Sequence, residues 1–115
     1  MKHILIIEDD PDTRDNIQEI LTLAAYTVTQ AANGREGIAK ARELHPDLIL
    51  CDITMPELDG YGVLHMMSRH PATADIPFIF ISGKSDHGEV RKGMELGADD
   101  YLVKPFRESE LLKAI

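Results

Sequence analysis

A cluster of acidic residues near the start of the chain is the first feature that could do chemistry. Four apolar residues at positions 4–7 lead directly into Glu8, Asp9 and Asp10. Carboxylates crowded at the end of a strand repel one another, so a positive group is expected among them. The stretch therefore raises the question of which cation or basic side chain the fold brings to these acids.

Three further polar residues each stand at the end of an apolar run, namely Asp52, Ser82 and Lys104. A carboxylate can bind a cation or act as a nucleophile, and an ammonium group can bind phosphoryl oxygens. These residues are far apart in the sequence. Whether they can act together depends on the elements that carry them.

Short apolar runs alternate with amphipathic stretches of helical length along the chain. Asp10-Pro11 has the pattern of an N-cap followed by proline at the first helical position, and Gly97 suits the end of a helix. Predicted strands lie at 4–7, 26–31, 48–51, 78–81 and 101–103, and the helices after them begin near 11, 35, 61, 86 and 108.

This alternation predicts an α/β fold, a doubly wound five-stranded parallel sheet of the flavodoxin-like (βα)5 type. Strands that are apolar on both faces belong to parallel sheets covered by helices on both sides. The strand at 26–31 is the most polar and should lie at an edge, which favours the strand order 2-1-3-4-5. With 115 residues, the chain is expected to form one domain over 1–115, with a truncated last helix.

In such a sheet, ligands bind at the C-terminal ends of the strands where the order reverses, here between strands 1 and 3. Glu8, Asp9 and Asp52 should therefore meet at one edge. Three acids in one small site favour Mg²⁺, which proteins hold through one or two carboxylates. With Lys104 and Ser82 beside them, they form a pocket for a phosphoryl group in which Asp52 is the natural nucleophile.

The composition limits the classes of function. A net charge of −8 argues against direct binding of nucleic acid by this chain. No apolar run approaches the ~20 residues of a membrane span, and no secretory leader is recognisable. A single cysteine, Cys51, excludes an internal disulfide and suits a reducing environment. We therefore expect a soluble cytoplasmic protein without a membrane partner.

Four stretches together resemble the receiver domain of two-component response regulators, chemotaxis receivers included. They are ILIIEDD, DLILCDITMPELDGYG, FIFISGK and GADDYLVKPF, and they occur in the family's order across nearly the whole chain. The resemblance implies a signalling switch that accepts a phosphoryl group from a sensor histidine kinase or phosphotransfer protein. It also implies control of an output domain or effector protein. Such a domain is not an enzyme, because it assists only its own phosphorylation and dephosphorylation.

The resemblance assigns roles by position. Asp52 resembles the phosphoacceptor, Asp9 a direct Mg²⁺ ligand and Glu8 an acid that acts on the metal through water. The backbone carbonyl of Thr54 would be another ligand. Thr54 and Lys84 also resemble positions that tune dephosphorylation.

The remaining positions resemble the parts of the family that respond to phosphorylation. Ser82 resembles the switch hydroxyl, Tyr101 the switch aromatic and Lys104 the family's lysine. A cis bond between Lys104 and Pro105 is implied, as is partner binding on the face of helix 4, strand 5 and helix 5. Gly83 stands where the family often has alanine, which keeps access for phosphate in a looser loop.

Two other interpretations remain beside the signalling switch, a metal-dependent phosphohydrolase and a degenerate receiver. The stretch from Asp10 to Thr13 resembles the DxDxT nucleophile loop of haloacid-dehalogenase-type phosphatases, although Glu8 and Asp9 intervene between it and the strand. A degenerate receiver that only binds proteins would be expected to lack an acid, the acceptor or the lysine. Taken singly, each site residue also has a simpler interpretation as a cap, loop or strand residue.

Overall fold

A computed structural model of the chain describes residues 2–83 and 87–115. For residues 87–90 it describes the backbone only. The predicted helix start near 86 and Lys84 lie outside the described residues. Strands and helices alternate from one end to the other: β1 His3–Ile7, α1 Pro11–Leu23, β2 Thr27–Ala31, α2 Gly34–Leu44, β3 Leu48–Asp52, α3 Gly60–Ser68, β4 Phe78–Ser82, α4 His87–Glu95, β5 Asp100–Val103 and α5 Glu108–Ala114.

The strands form one parallel sheet in the order β2-β1-β3-β4-β5, which confirms the predicted topology. β2 lies at an edge, as its polar sequence indicated. The strand bounds differ from the predicted ones by one residue at most; for example, β2 begins at Thr27, and β3 and β4 include Asp52 and Ser82. The last helix, α5, has 7 residues.

The three central strands, β1, β3 and β4, are buried on both faces because helices cover both sides of the sheet. Alternate residues of β1 belong to different cores: Ile4 and Ile6 pack with α1 and α5, whereas Leu5 and Ile7 pack with α2 and α3. This alternation follows from the two-residue period of a strand. Among the described residues, no helix has the length and apolar character that crossing a membrane requires.

The start of α1 and the end of α4 follow the local sequence signals, whereas the end of α1 departs from them. The Asp10 carboxylate caps α1 by accepting a hydrogen bond from Thr13 N, with Pro11 at the first helical position. Asp10 is therefore a structural cap, which argues against the phosphatase-like interpretation. Gly97 ends α4 with φ +104°. Ala25 takes the corresponding place after α1 at φ +71°, a backbone conformation that glycine adopts at less cost.

Candidate functional site

Three carboxylates meet at the C-terminal ends of β1 and β3. Glu8 and Asp9 directly follow β1, and Asp52 is the last residue of β3. One carboxylate oxygen from each lies within 4.8 Å of the other two. Glu8 is 1% exposed and Asp52 6% exposed, whereas Asp9 faces solvent. The parallel sheet brings together acids that are more than forty positions apart in the sequence.

Lys104 reaches this acidic cluster from the end of β5. Its Nζ lies 2.6 Å from Glu8 Oε1 and 3.6 Å from Asp52 Oδ1. Its backbone N–H donates to the carbonyl of Ser82 at 2.6 Å, which ties the loop after β5 to the end of β4. The peptide bond between Lys104 and Pro105 is cis, as predicted. The four charged groups leave the cluster with an excess of two negative charges when all are ionised.

Burial and charge shift the protonation of two of these groups. Burial is the main cause that raises the pKa of Glu8 to about 7, and the nearby Asp52 carboxylate adds to the rise while Lys104 opposes it. Burial lowers the pKa of Lys104, but the ion pairs with Glu8 and Asp52 outweigh this, so its pKa is raised overall. Lys104 therefore stays positively charged beside Asp52 at neutral pH.

The residues present fit a hard divalent cation. Glu8 Oε2 is buried and has no hydrogen-bond partner among the described residues. An unsatisfied buried carboxylate oxygen is costly, and its neighbours are two further carboxylates. A cation with oxygen ligands would neutralise the excess charge and leave room for waters. Thr54, whose carbonyl the sequence resemblance proposes as a ligand, lies in the loop two residues after Asp52.

The loop after β3 holds Asp52 in place. Gly60 N donates to the carbonyl of Ile53 at 2.8 Å. A Cβ atom at Gly60 would lie 2.5 Å from the Asp52 carbonyl oxygen, so α3 can start this close to the strand only with glycine there. The Asp59 side chain caps α3 by accepting from Gly62 N. Cys51 is buried and burial raises the pKa of its thiol, so it contributes packing rather than reactivity.

Ser82 and Tyr101 lie on the neighbouring strands β4 and β5. Ser82 is the last residue of β4, is 2% exposed and pairs in register with Val103, next to Lys104. Tyr101 is half-buried on β5, and its ring meets the ring of Phe80 edge-on with 6.4 Å between centroids. The structure thus places Ser82 at the C-terminal end of its strand, as it does Asp52, and Tyr101 close to Gly93 of α4.

Sequence reasoning did not single out Arg14 and Gln30. The Arg14 guanidinium donates from Nη1 to the backbone carbonyl of Glu8 at 2.9 Å, and the Asp9 carbonyl lies 3.5 Å away. Its Nε donates to Gln30 Oε1 at 3.1 Å. A charged residue near the start of a helix and a polar residue in an edge strand carry no sequence signal for this contact.

The order of the strands, the acids at the switch point and the lysine from β5 define an acidic site with one ammonium group at the edge of a doubly wound sheet. The family model for the response regulator receiver domain matches residues 4–115. The chain therefore belongs to the family of response regulator receiver domains, which act in two-component signalling.

Individual relatives agree with this assignment. The DNA-binding dual master transcriptional regulator RpaA of Synechocystis is 41% identical over 115 residues, which cover all of this chain and 48% of the relative. The chain thus spans about half the length of the curated relatives it matches. The solved structure of the chemotaxis protein CheY4 of Vibrio cholerae is similar, with a TM-score of 0.93 and 30% identity over 98% of this chain and 94% of that one.

A third similar protein is relevant to the metal. The receiver domain of a sensor histidine kinase from Pseudomonas aeruginosa has a TM-score of 0.90 and 30% identity, over 97% of this chain and 92% of that one. Its structure has a magnesium ion coordinated in the active site cleft.

Proposed function

We propose that residues 1–115 form one receiver domain in which Asp52 accepts a phosphoryl group and thereby switches the chain between two signalling states. The observation that carries the proposal is the placement of Asp52. Its carboxylate is nearly buried, lies 3.6 Å from the Lys104 ammonium and is within 4.8 Å of two other acids. An aspartate with only a structural role at the end of a strand would not need an ammonium group and two further carboxylates around it.

The reaction would be a transfer rather than a hydrolysis. An Asp52 oxygen attacks the phosphorus atom, a new P–O bond forms, and the bond from phosphorus to the donor breaks so that the donor leaves. Mg²⁺, held by Asp9, Asp52 and the Thr54 carbonyl with Glu8 acting through water, would neutralise charge on the phosphoryl oxygens. Lys104 would bind one of those oxygens, since its ammonium already faces Asp52.

The switch would operate through Ser82 and Tyr101. Phosphoryl oxygens on Asp52 would attract the Ser82 hydroxyl across the edge of the sheet, because β3 and β4 are neighbours. Tyr101 packs on Phe80 two residues before Ser82, so a shift of β4 would change the space available to its ring. The surface of α4, β5 and α5 would then change shape, and there we place the binding of an output partner.

The partners follow from the family. A sensor histidine kinase or a phosphotransfer protein would donate the phosphoryl group, and an output domain or effector protein would respond. The curated relatives are transcriptional regulators of about twice this length, which supports a transcriptional output. The acidic net charge of −8 argues that this part of the protein does not itself bind nucleic acid.

Intact mass spectrometry would test the acceptor. With Mg²⁺ and acetyl phosphate, the protein should gain the mass of one phosphoryl group, and Asp52→Asn should gain none. Asp10→Asn is the matched control, because the same substitution beside the site leaves a residue that also caps helices. An undiminished adduct in Asp52→Asn, or loss of the adduct in both variants, would contradict the assignment.

A further inference from the structure

The backbone that carries the two N-terminal acids is fixed by a side chain from α1. The N–H of Glu8 donates to the Ala31 carbonyl of β2 at 3.1 Å. The Glu8 carbonyl accepts instead from Arg14 Nη1 at 2.9 Å, and the Asp9 carbonyl lies 3.5 Å from the same nitrogen. Arg14 therefore bridges the two peptide groups from which the acidic side chains project.

Arg14 is itself held in place from the edge strand. Its Nε donates to Gln30 Oε1, and Gln30 Nε2 donates in turn to Asp15 Oδ1 at 3.1 Å and to Gln18. These contacts fix the orientation of the Gln30 amide, since its oxygen faces a donor and its nitrogen faces acceptors. The guanidinium can make both of its contacts together only because its donors form a rigid fork.

We propose that Arg14, held by Gln30, is a positioning residue for the metal site: it fixes the peptide groups of Glu8 and Asp9 so that their carboxylates fit Mg²⁺. The inference rests on the proposed Mg²⁺ site. Groups that orient metal ligands without touching the metal typically change metal affinity by ~10- to 100-fold when removed. Arg14 would act in this way through the backbone rather than through a ligand side chain.

The sign of the change in Mg²⁺ affinity when Arg14 is replaced distinguishes a positioning role from a purely electrostatic one. Arg14 carries a positive charge close to a site for a cation. If its only influence were Coulombic, its removal would strengthen Mg²⁺ binding. If it positions the ligands, its removal weakens binding in spite of the lost repulsion.

The choice of metal gives a second distinction. Mg²⁺ requires nearly ideal octahedral geometry at short distances, whereas Ca²⁺ accepts flexible coordination and longer bonds. A loosened Glu8-Asp9 backbone should therefore lose more affinity for Mg²⁺ than for Ca²⁺. If the residue only supported the fold, its removal would lower the affinity for both ions equally.

The experiment is a calorimetric titration of Mg²⁺ and Ca²⁺ into the whole chain, with thermal unfolding in EDTA as a check of folding. Arg14→Met should bind Mg²⁺ ~10-fold more weakly than the unchanged protein, with a smaller loss for Ca²⁺. Arg14→Lys should recover only part of this, because one ammonium cannot bridge Gln30 and the Glu8 carbonyl together.

Gln30→Met tests the support without touching Arg14 or the acids. It should weaken Mg²⁺ binding in the same direction, whereas Thr22→Met, a change at an exposed position further along α1, should not. Equal or tighter Mg²⁺ binding in both Arg14→Met and Gln30→Met would overturn the inference and leave the metal site intact. Absence of Mg²⁺ binding by the unchanged protein would overturn the metal site and with it this inference.

Discussion

Replacing Glu8 by glutamine is expected to remove a loss of stability with rising pH in the protein without divalent cations. Glu8 is buried, and its pKa rises from 4.5 to about 7 on folding, chiefly because burial penalises the charged form. The folded protein therefore binds more protons than the unfolded chain between these two values. Its free energy of unfolding must then fall as the pH rises through this window.

The magnitude follows from the size of the pKa change. Each pKa unit corresponds to ~1.4 kcal/mol, so Glu8 would remove about 3 kcal/mol of stability between pH 4.5 and pH 7, given the rise from 4.5 to about 7. The direction is opposite to that of most carboxylates in proteins, which are stabilised in their charged form. Mg²⁺ at the proposed site would bind the ionised carboxylates, so it should counteract the loss, by ~2.7 kcal/mol at a hundredfold excess over its dissociation constant.

Urea unfolding at several pH values, in EDTA and in excess Mg²⁺, would measure this. In EDTA, the free energy of unfolding of the unchanged protein should fall by about 3 kcal/mol relative to that of Glu8→Gln as the pH rises from 4.5 to 7. Glu36→Gln is the matched control, because its salt bridge with Lys40 lowers the pKa of Glu36 and gives a contribution of opposite sign. Parallel profiles for Glu8→Gln and the unchanged protein would refute the argument.

Three further substitutions test the fold and the switch. Ala25→Gly should raise the free energy of unfolding by ~1 kcal/mol in urea titrations, because glycine adopts the positive φ after α1 without strain; no gain would contradict this. Gly60→Ala should lower it by ~1–3 kcal/mol and weaken Mg²⁺ binding in calorimetry, since the new Cβ meets the Asp52 carbonyl; an unchanged variant would show that α3 shifts freely. Ser82→Ala should still bind beryllofluoride but show smaller NMR shift changes near Tyr101, and equal changes would exclude Ser82 as the coupling group.

The sequence by itself determined the strands, their order and the edge of the sheet that carries the polar residues. Apolar runs, Asp10-Pro11 and Gly97 are local signals whose meaning does not depend on distant contacts. The meeting of Glu8, Asp9 and Asp52 was predictable because parallel strands end at one edge.

Only the tertiary structure decided how the charges are paired and held. Lys104 lies closer to Glu8 than to Asp52, with 2.6 Å against 3.6 Å, and the high pKa of Glu8 follows from its burial. The bridge from Arg14 to the Glu8 carbonyl was likewise hidden, because it depends on how α1 lies against the sheet. Distances between charges and the exclusion of water are set by the packing of whole elements, and no local pattern of residues encodes them.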